Sequence, residues 1–243
     1  MPEGSMTATG VAVGLWLYLL WIWMSSRPGQ RYALVAVFGL VCGGALGAGL
    51  AWPLVAHGGG ASSVAAIFGA SVVLLLVLRP WNGDGRWMLD HLVPGGIAAL
   101  SVARLGCLFD GCDFGRVTEV WPSVVHEAGS RAWETHIATY DLPVTSAESL
   151  PVHPFALYLA LWGFMAAAIG EWFRRRQAGA GLAGLVSAGL FFVGAGLIEW
   201  LREPATVPQL LEGISAYPLI YWMAALGTAM LWWRWRPGSG RDK

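Results

Sequence analysis

The chain has 243 residues, 56% of them hydrophobic and only 12% charged, with a mean hydropathy of +0.56. That excludes an ordinary soluble domain, in which charged residues approach a quarter of the chain. Fifteen Lys and Arg cancel fifteen Asp and Glu, so no basic field argues for nucleic acid as a partner, and the information lies in where the charges fall.

Residues 4–26 and 32–78 carry no formal charge. The first run has the length of one membrane span. The second has the length of two, divided by the polar turn His57-Gly58-Gly59-Gly60. No basic segment precedes the first run, which is as long as a full span and so reads as a retained helix rather than a cleaved signal. Residues 149–170, 177–198 and 213–233 are also uncharged, and each is long enough, at about 1.5 Å per residue, to cross roughly 30 Å of hydrocarbon. Residues 91–103, between Asp90 and Arg104, would cover only about 20 Å as a helix. This segment spans only by carrying charge into the membrane, which points to a protein interior or wet cavity, unless both ends snorkel. The expected fold is therefore an all-α polytopic membrane protein, one domain over 1–243 with seven transmembrane helices. An outer-face loop region over 113–149 lies between helices four and five. Fifteen tryptophans fit ring anchors at two bilayer surfaces as well as packing between helices.

Seven spans alternate the connections between two sides. One side receives Arg27, Arg31, Arg79, Arg86, Arg174, Arg175, Arg176, Arg234, Arg236, Arg241 and Lys243; the other receives Arg104, Arg116, Arg131 and Arg202. This sorting places the amino terminus outside and the carboxyl terminus in the cytoplasm. The polar stretch after Asp110 then lies outside, where a soluble substrate or partner would meet it, and its composition reads as loop with a short strand or helix.

Three places combine polar residues with glycine or helix ends at membrane depth. At His57-Gly58-Gly59-Gly60 the backbone can approach a ligand closely or simply turn. Along 104–116, Arg104 reads as a helix end followed by an irregular loop with Gly106, Gly111 and Gly115, dipping into the outer leaflet. There Arg104 and Arg116 suit a lipid phosphate. At Glu199 to Pro204, Glu199 and Arg202 are three apart on a helix and can pair with each other or orient a headgroup. His153, before Pro154, is a helix-start residue or a base. His126 and His136 show no trustworthy ligand spacing. Cys107 and Cys112 admit a disulfide, a redox pair, half of a metal site or plain packing. No Cys-x2-Cys spacing supports zinc, Cys42 lies in another span, and nothing requires a metal or organic cofactor.

At these residues the sequence resembles the prolipoprotein diacylglyceryl transferase family, bacterial membrane enzymes that move diacylglycerol from phosphatidylglycerol to a lipobox cysteine. Asp90-His91-Leu92-Val93-Pro94, then Arg104-Leu105-Gly106 with Gly111 and Gly115, are similar to the family's Asp-x-x-x-Pro helix and its glycine-rich signature. His153-Pro154 with Leu157-Tyr158 resembles its His-Pro-x-x-Leu-Tyr-Glu element, and Glu199 to Pro204 its Glu-Phe-x-Arg-x-Pro segment. The resemblance implies catalytic roles for Arg104 and Arg202, and lipid contacts for Asp90, Asp110, Gly115, Arg116, Tyr158 and Glu199. It also implies a bacterial inner-membrane location, with phosphatidylglycerol and a prolipoprotein signal peptide as partners. Val64 falls where the family has its proposed catalytic histidine, which leaves His57 or His153 as the base. Cys107, Cys112 and Leu159 replace an asparagine and two glutamates, and Ala195 replaces an arginine. Two further readings stay open: a noncatalytic lipid-binding or assembly subunit, and a relative with another lipid or acceptor, or with Cys107 as its own nucleophile.

Overall fold

The computed structural model describes residues 84–176, 181–206, 209–211, 214–215 and 217–235, together with Leu15. Apart from Leu15, the expected spans over 4–26 and 32–78, and with them Cys42, His57 and Val64, lie outside the described residues.

Four long helices carry the described part: α1 (Asp84–Asp110), α3 (Phe155–Arg175), α4 (Leu182–Ile198) and α5 (Tyr217–Trp235), with the short α2 (Arg131–Tyr140) between α1 and α3. Single 3-10 turns follow α4 at Glu199–Leu201 and Pro204–Thr206. A small antiparallel hairpin, β1 (Gln209–Leu211) with β2 (Ile214–Ser215), is an addition to the all-helical expectation. Among the described residues, Leu89–Asp110, Phe155–Arg175 and Leu182–Leu201 are long and apolar enough to cross a membrane.

α1 resolves the shortfall at 91–103. It is 27 residues long, about 40 Å, so Asp90 and Arg104 both lie inside it and neither is at its end. Neither snorkels: Asp90 is 7% exposed and the Arg104 side chain 12%. Each is satisfied by protein instead. Asp90 accepts hydrogen bonds from the backbone N–H of Gly181 (2.7 Å) and Gly184 (2.9 Å). It therefore caps α4 from a neighbouring helix, since the α4 N-cap, Gly181, has no side chain to do so. Pro94, four residues on, lacks the N–H that would have bonded the Asp90 carbonyl. The approach is close enough that a Cβ on Gly184 would fall 2.5 Å from the Leu89 carbonyl oxygen.

Small residues and hydroxyls join the other faces, as helix packing in lipid favours. Gly163 of α3 meets Ser101 of α1, and Gly194 of α4 meets the Trp162 ring. Ser187 Oγ donates to the Ala166 carbonyl (3.0 Å) and Trp162 Nε1 to the Leu190 carbonyl (2.8 Å). Between these helices lies a core of Ile97, Phe155, Leu159, Phe191, Ala195 and Tyr221. α5 closes over it with Tyr221 and leaves Leu219, Met223, Leu226 and Met230 exposed, as expected of a face turned to lipid.

The contacts also sort the helix ends. Asp90, His91, Arg174 and Gly181 meet at one end, His91 Nε2 lying 3.4 Å from Arg174. At that end Glu171 pairs with Arg174 and Arg175, cations that also suit the carboxyl end of α3. Arg104, Phe155, Glu199 and Tyr217 lie toward the other.

The stretch from Gly111 to Pro154 is a folded unit with its own small core of Phe114, Ala132 and Val152, backed by Val117 and Val124. Val152 bridges both Val117 and Val124, and Glu127 bridges Glu148. α2 starts at Ser130, whose hydroxyl accepts from Trp133 N–H. His136 is fully buried; its Nδ1 accepts from Leu150 N–H (3.1 Å), and its ring packs edge-on against Phe114 and Tyr140.

Two outcomes follow. Asp90→Ala should lower stability by about 1 to 2 kcal/mol, read by thermal unfolding in detergent; an unchanged melting point with lost lipid binding would return Asp90 to a lipid site. Burial holds the His126 imidazole below its ordinary value of 6.5, and burial with the nearby His126 does the same for His136. Depressed values mean the unfolded chain binds more protons, so stability is full above about 6.5 and falls as pH drops toward the folded-state values. Protection factors for amide exchange across 124–150, corrected for the intrinsic pH dependence of exchange, should fall as pH drops below about 6.5, and His136→Gln should flatten that dependence.

Candidate functional site

Where α1 ends, Gly111 adopts a left-handed conformation (φ 62°) against the His126 ring, a turn that ends helices without a Cβ penalty. It reverses the chain so that Asp113 comes back beside Arg104, which lies nearly two turns before the helix end. The run 104–116 is thus helix to Asp110 and irregular only from Gly111, which corrects the expectation of a loop starting at Arg104.

Next in the chain, Gly115 and Arg116 are threaded between two other segments. Gly115 N–H donates to the His153 carbonyl (3.1 Å), His153 N–H to the Arg116 carbonyl (3.1 Å), and Arg116 N–H to the Leu201 carbonyl (2.8 Å). A Cβ on Gly115 would fall 2.7 Å from His153 Cβ and 2.8 Å from the Leu201 oxygen, so only glycine fits this junction. Three motifs far apart in the chain are thereby locked in register, with Arg202 opposite Gly115.

The junction delivers four charged side chains to one place. Asp113 contacts Arg104 directly, and its other oxygen lies 3.2 Å from Arg202 Nη1. Arg202 Nε lies 2.9 Å from Glu199 Oε2. This is an ion-pair contact off the hydrogen-bonding line, because neither Glu199 oxygen has a well-directed donor among the described residues. Side-chain exposures are 12% for each arginine, 8% for Asp113 and 0% for Glu199. The Arg202 guanidinium also stacks over Phe155 (4.4 Å) and lies 5.4 Å from the Tyr217 ring, contacts that suit a planar, weakly hydrated cation. Tyr221, from α5, lies within electrostatic reach of all four. Two guanidiniums and two carboxyl groups thus share a buried setting where an unpaired charge would be costly.

Of the expected site residues, the structure brings Arg104, Arg202 and Glu199 together. Gly115 and His153 build the scaffold through backbone. The His153 imidazole has Tyr158 as its polar neighbour (Nδ1 to hydroxyl 3.4 Å), and the Tyr158 hydroxyl reaches the Pro122 carbonyl (3.5 Å). Arg116 is exposed and joins the junction through its backbone N–H. Asp110 ends α1 outside the quartet. Asp90 lies 14 positions before Arg104, about 21 Å away along α1, and does not take part. Cys107 and Cys112 are present as thiols rather than as a disulfide, beside the quartet.

Sequence reasoning missed Asp113 and Tyr221. A separation of nine from Arg104 fits no helical face, so Asp113 becomes visible only if Asp110-Gly111 is read as a helix stop that turns the chain back. Tyr221 carried no signal beyond being a polar ring in an apolar helix. The structure also adds Glu203, 2% exposed, which accepts from the Tyr140 hydroxyl (3.1 Å) and so ties α2 to the turn after Arg202.

Apolar helices of spanning length, with a buried arginine-carboxylate cluster near the ends of several of them, define a helical membrane protein. The model of the family described as prolipoprotein diacylglyceryl transferase matches residues 4–233, and the chain belongs to that family. Relatives named phosphatidylglycerol-prolipoprotein diacylglyceryl transferase include one from Clostridium tetani, 25% identical over 56% of this chain and 49% of its own length. Another, from Citrobacter koseri, is 26% identical over 96% of this chain and 88% of its own, and one from Burkholderia ambifaria is 30% identical over 68% and 61%. The chain thus spans about half the length of the Clostridium relative and 63% of that from Vibrio vulnificus YJ016.

The bridge at Asp113 is open to test. Asp113→Asn leaves two buried guanidiniums short of one carboxylate and should destabilise by about 3 kcal/mol. In a double-mutant cycle with Arg104→Gln the coupling should exceed about 1 kcal/mol; additive effects would mean the contact carries no energy.

Proposed function

We propose that this chain transfers diacylglycerol from phosphatidylglycerol to the lipobox cysteine of prolipoproteins in the bacterial inner membrane. The observation that carries it is the convergence of Arg104 and Arg202 on a single carboxylate, that of Asp113. Two guanidiniums that reach one anion from different helices can also reach one phosphodiester. Asp113 then stands where the phosphate oxygens would sit, and the arriving lipid takes its place.

In this reading the chain has seven spans, with the amino terminus outside and the carboxyl terminus cytoplasmic. Residues 113–149 belong to an outer unit that meets the signal peptide. Phosphatidylglycerol enters from the outer leaflet, and the peptide thiolate attacks the glyceryl carbon to form a thioether. The C–O bond to glycerol phosphate breaks, and the arginines stabilise charge on that leaving group. His57 or His153 takes the thiol proton. Glu199 keeps Arg202 oriented, and Tyr158 orients His153.

A second reading, a lipid-binding subunit without transfer, is favoured by Ala195. It is fully buried in the packed core where the family motif has an arginine. Purified protein with phosphatidylglycerol and a lipobox peptide, analysed by mass, separates the two. Wild type should yield thioether-linked diacylglycerol, and Arg104→Ala should lower the rate at least about 100-fold. No product from wild type, beside normal product from a family enzyme, supports the second reading.

A further inference from the structure

We propose that Cys107 and Cys112 form an oxidisable dithiol whose disulfide clips the end of α1 and fixes Asp113 between the two arginines. Two independent features support it. In a helix that ends with a left-handed glycine, the residue four before the glycine and the one just after it take the positions whose side chains meet. With Gly111 as that glycine, these are Cys107 and Cys112. Cys112 Sγ in fact lies 4.0 Å from the Cys107 carbonyl oxygen, which places the two side chains at the same corner of the helix end. Closure forms a bond of about 2.05 Å between the two sulfurs.

The position gives the bond a consequence. Cys107 lies three residues from Arg104 on α1, hence on the same face, and Cys112 is bonded directly to Asp113. A cross-link between them ties the backbone beneath the bridging carboxylate to the helix that carries one of its arginines.

The chemistry is thiol–disulfide exchange with a disulfide donor of the outer compartment. A cysteine thiolate attacks the donor disulfide and releases one donor thiolate. The second cysteine thiolate then attacks the mixed disulfide and releases the other. The pair loses two electrons and two protons, and the donor is reduced to two thiols. Both residues are half-buried rather than sealed in the core, and the donor approaches from their exposed side. The inference rests on the outer-face placement in the proposed function for its donor, but its readout does not depend on lipid transfer.

Full-length protein in detergent is equilibrated with oxidised glutathione or with a phosphine reductant, alkylated and mapped by peptide mass. Oxidised protein should lose two hydrogens in the 107–112 peptide and resist alkylation there, while reduced protein is alkylated at both positions. The oxidised form should melt about 5 °C higher, and Cys112→Ser should abolish the difference. Alkylation of both cysteines after oxidation, glutathione adducts without an internal bond, or equal melting points for the two forms would overturn the proposal. A chain that fails the transfer assay and still forms the bond separates this proposal from the functional one.

Discussion

The interaction on which the described structure depends is the bridge from Asp113 to Arg104 and Arg202. It joins the chain just past α1 to the chain just past α4, and it neutralises two cations that lie close to the lipid-facing helices. A buried pair of this kind adds little net stability over an apolar replacement, yet losing one member is expensive. Its value is therefore positional. It holds two guanidiniums from different segments at the separation that one carboxylate spans.

The backbone junction at Gly115 makes that geometry possible. Neither arginine is placed by its own helix alone. Arg202 follows a 3-10 turn and sits in extended conformation, and it reaches the cluster because Leu201 and Arg202 pair with the 115–116 segment. That segment is pinned in turn by His153, at the foot of α3. The unit from Gly111 to Pro154 is thus part of the cluster's frame, its small core around Phe114 holding the segment that carries Asp113 and Gly115. Loss of order there would reach the arginines directly.

At the opposite end of α1, Asp90 shows how an ionisable residue inside a membrane helix can be structural. Its carboxylate satisfies backbone donors that the glycine start of α4 leaves open, and Pro94 removes the donor for its own carbonyl. The Asp-x-x-x-Pro pattern therefore reads as a docking device between helices, about 21 Å from the arginines along the helix.

Charge placement alone determined that this is a membrane chain, roughly where the three described helices of spanning length lie, and that Arg104 and Arg202 fall on the same side. The reason is physical: uncharged runs of spanning length and the sorting of cations are one-dimensional properties, set by the bilayer rather than by partners. The resemblance of its motifs to a known family was equally legible, because it rests on residues in order. Only the tertiary structure decided which polar residues meet. Asp113 meets both arginines, Arg116 joins through its backbone, Asp90 caps α4, and Tyr221 lies beside the cluster. Those outcomes turn on a helix that runs on to Asp110, a left-handed glycine and a backbone crossing between segments up to 89 positions apart, from Phe114 to Glu203. No periodicity in the sequence encodes such contacts.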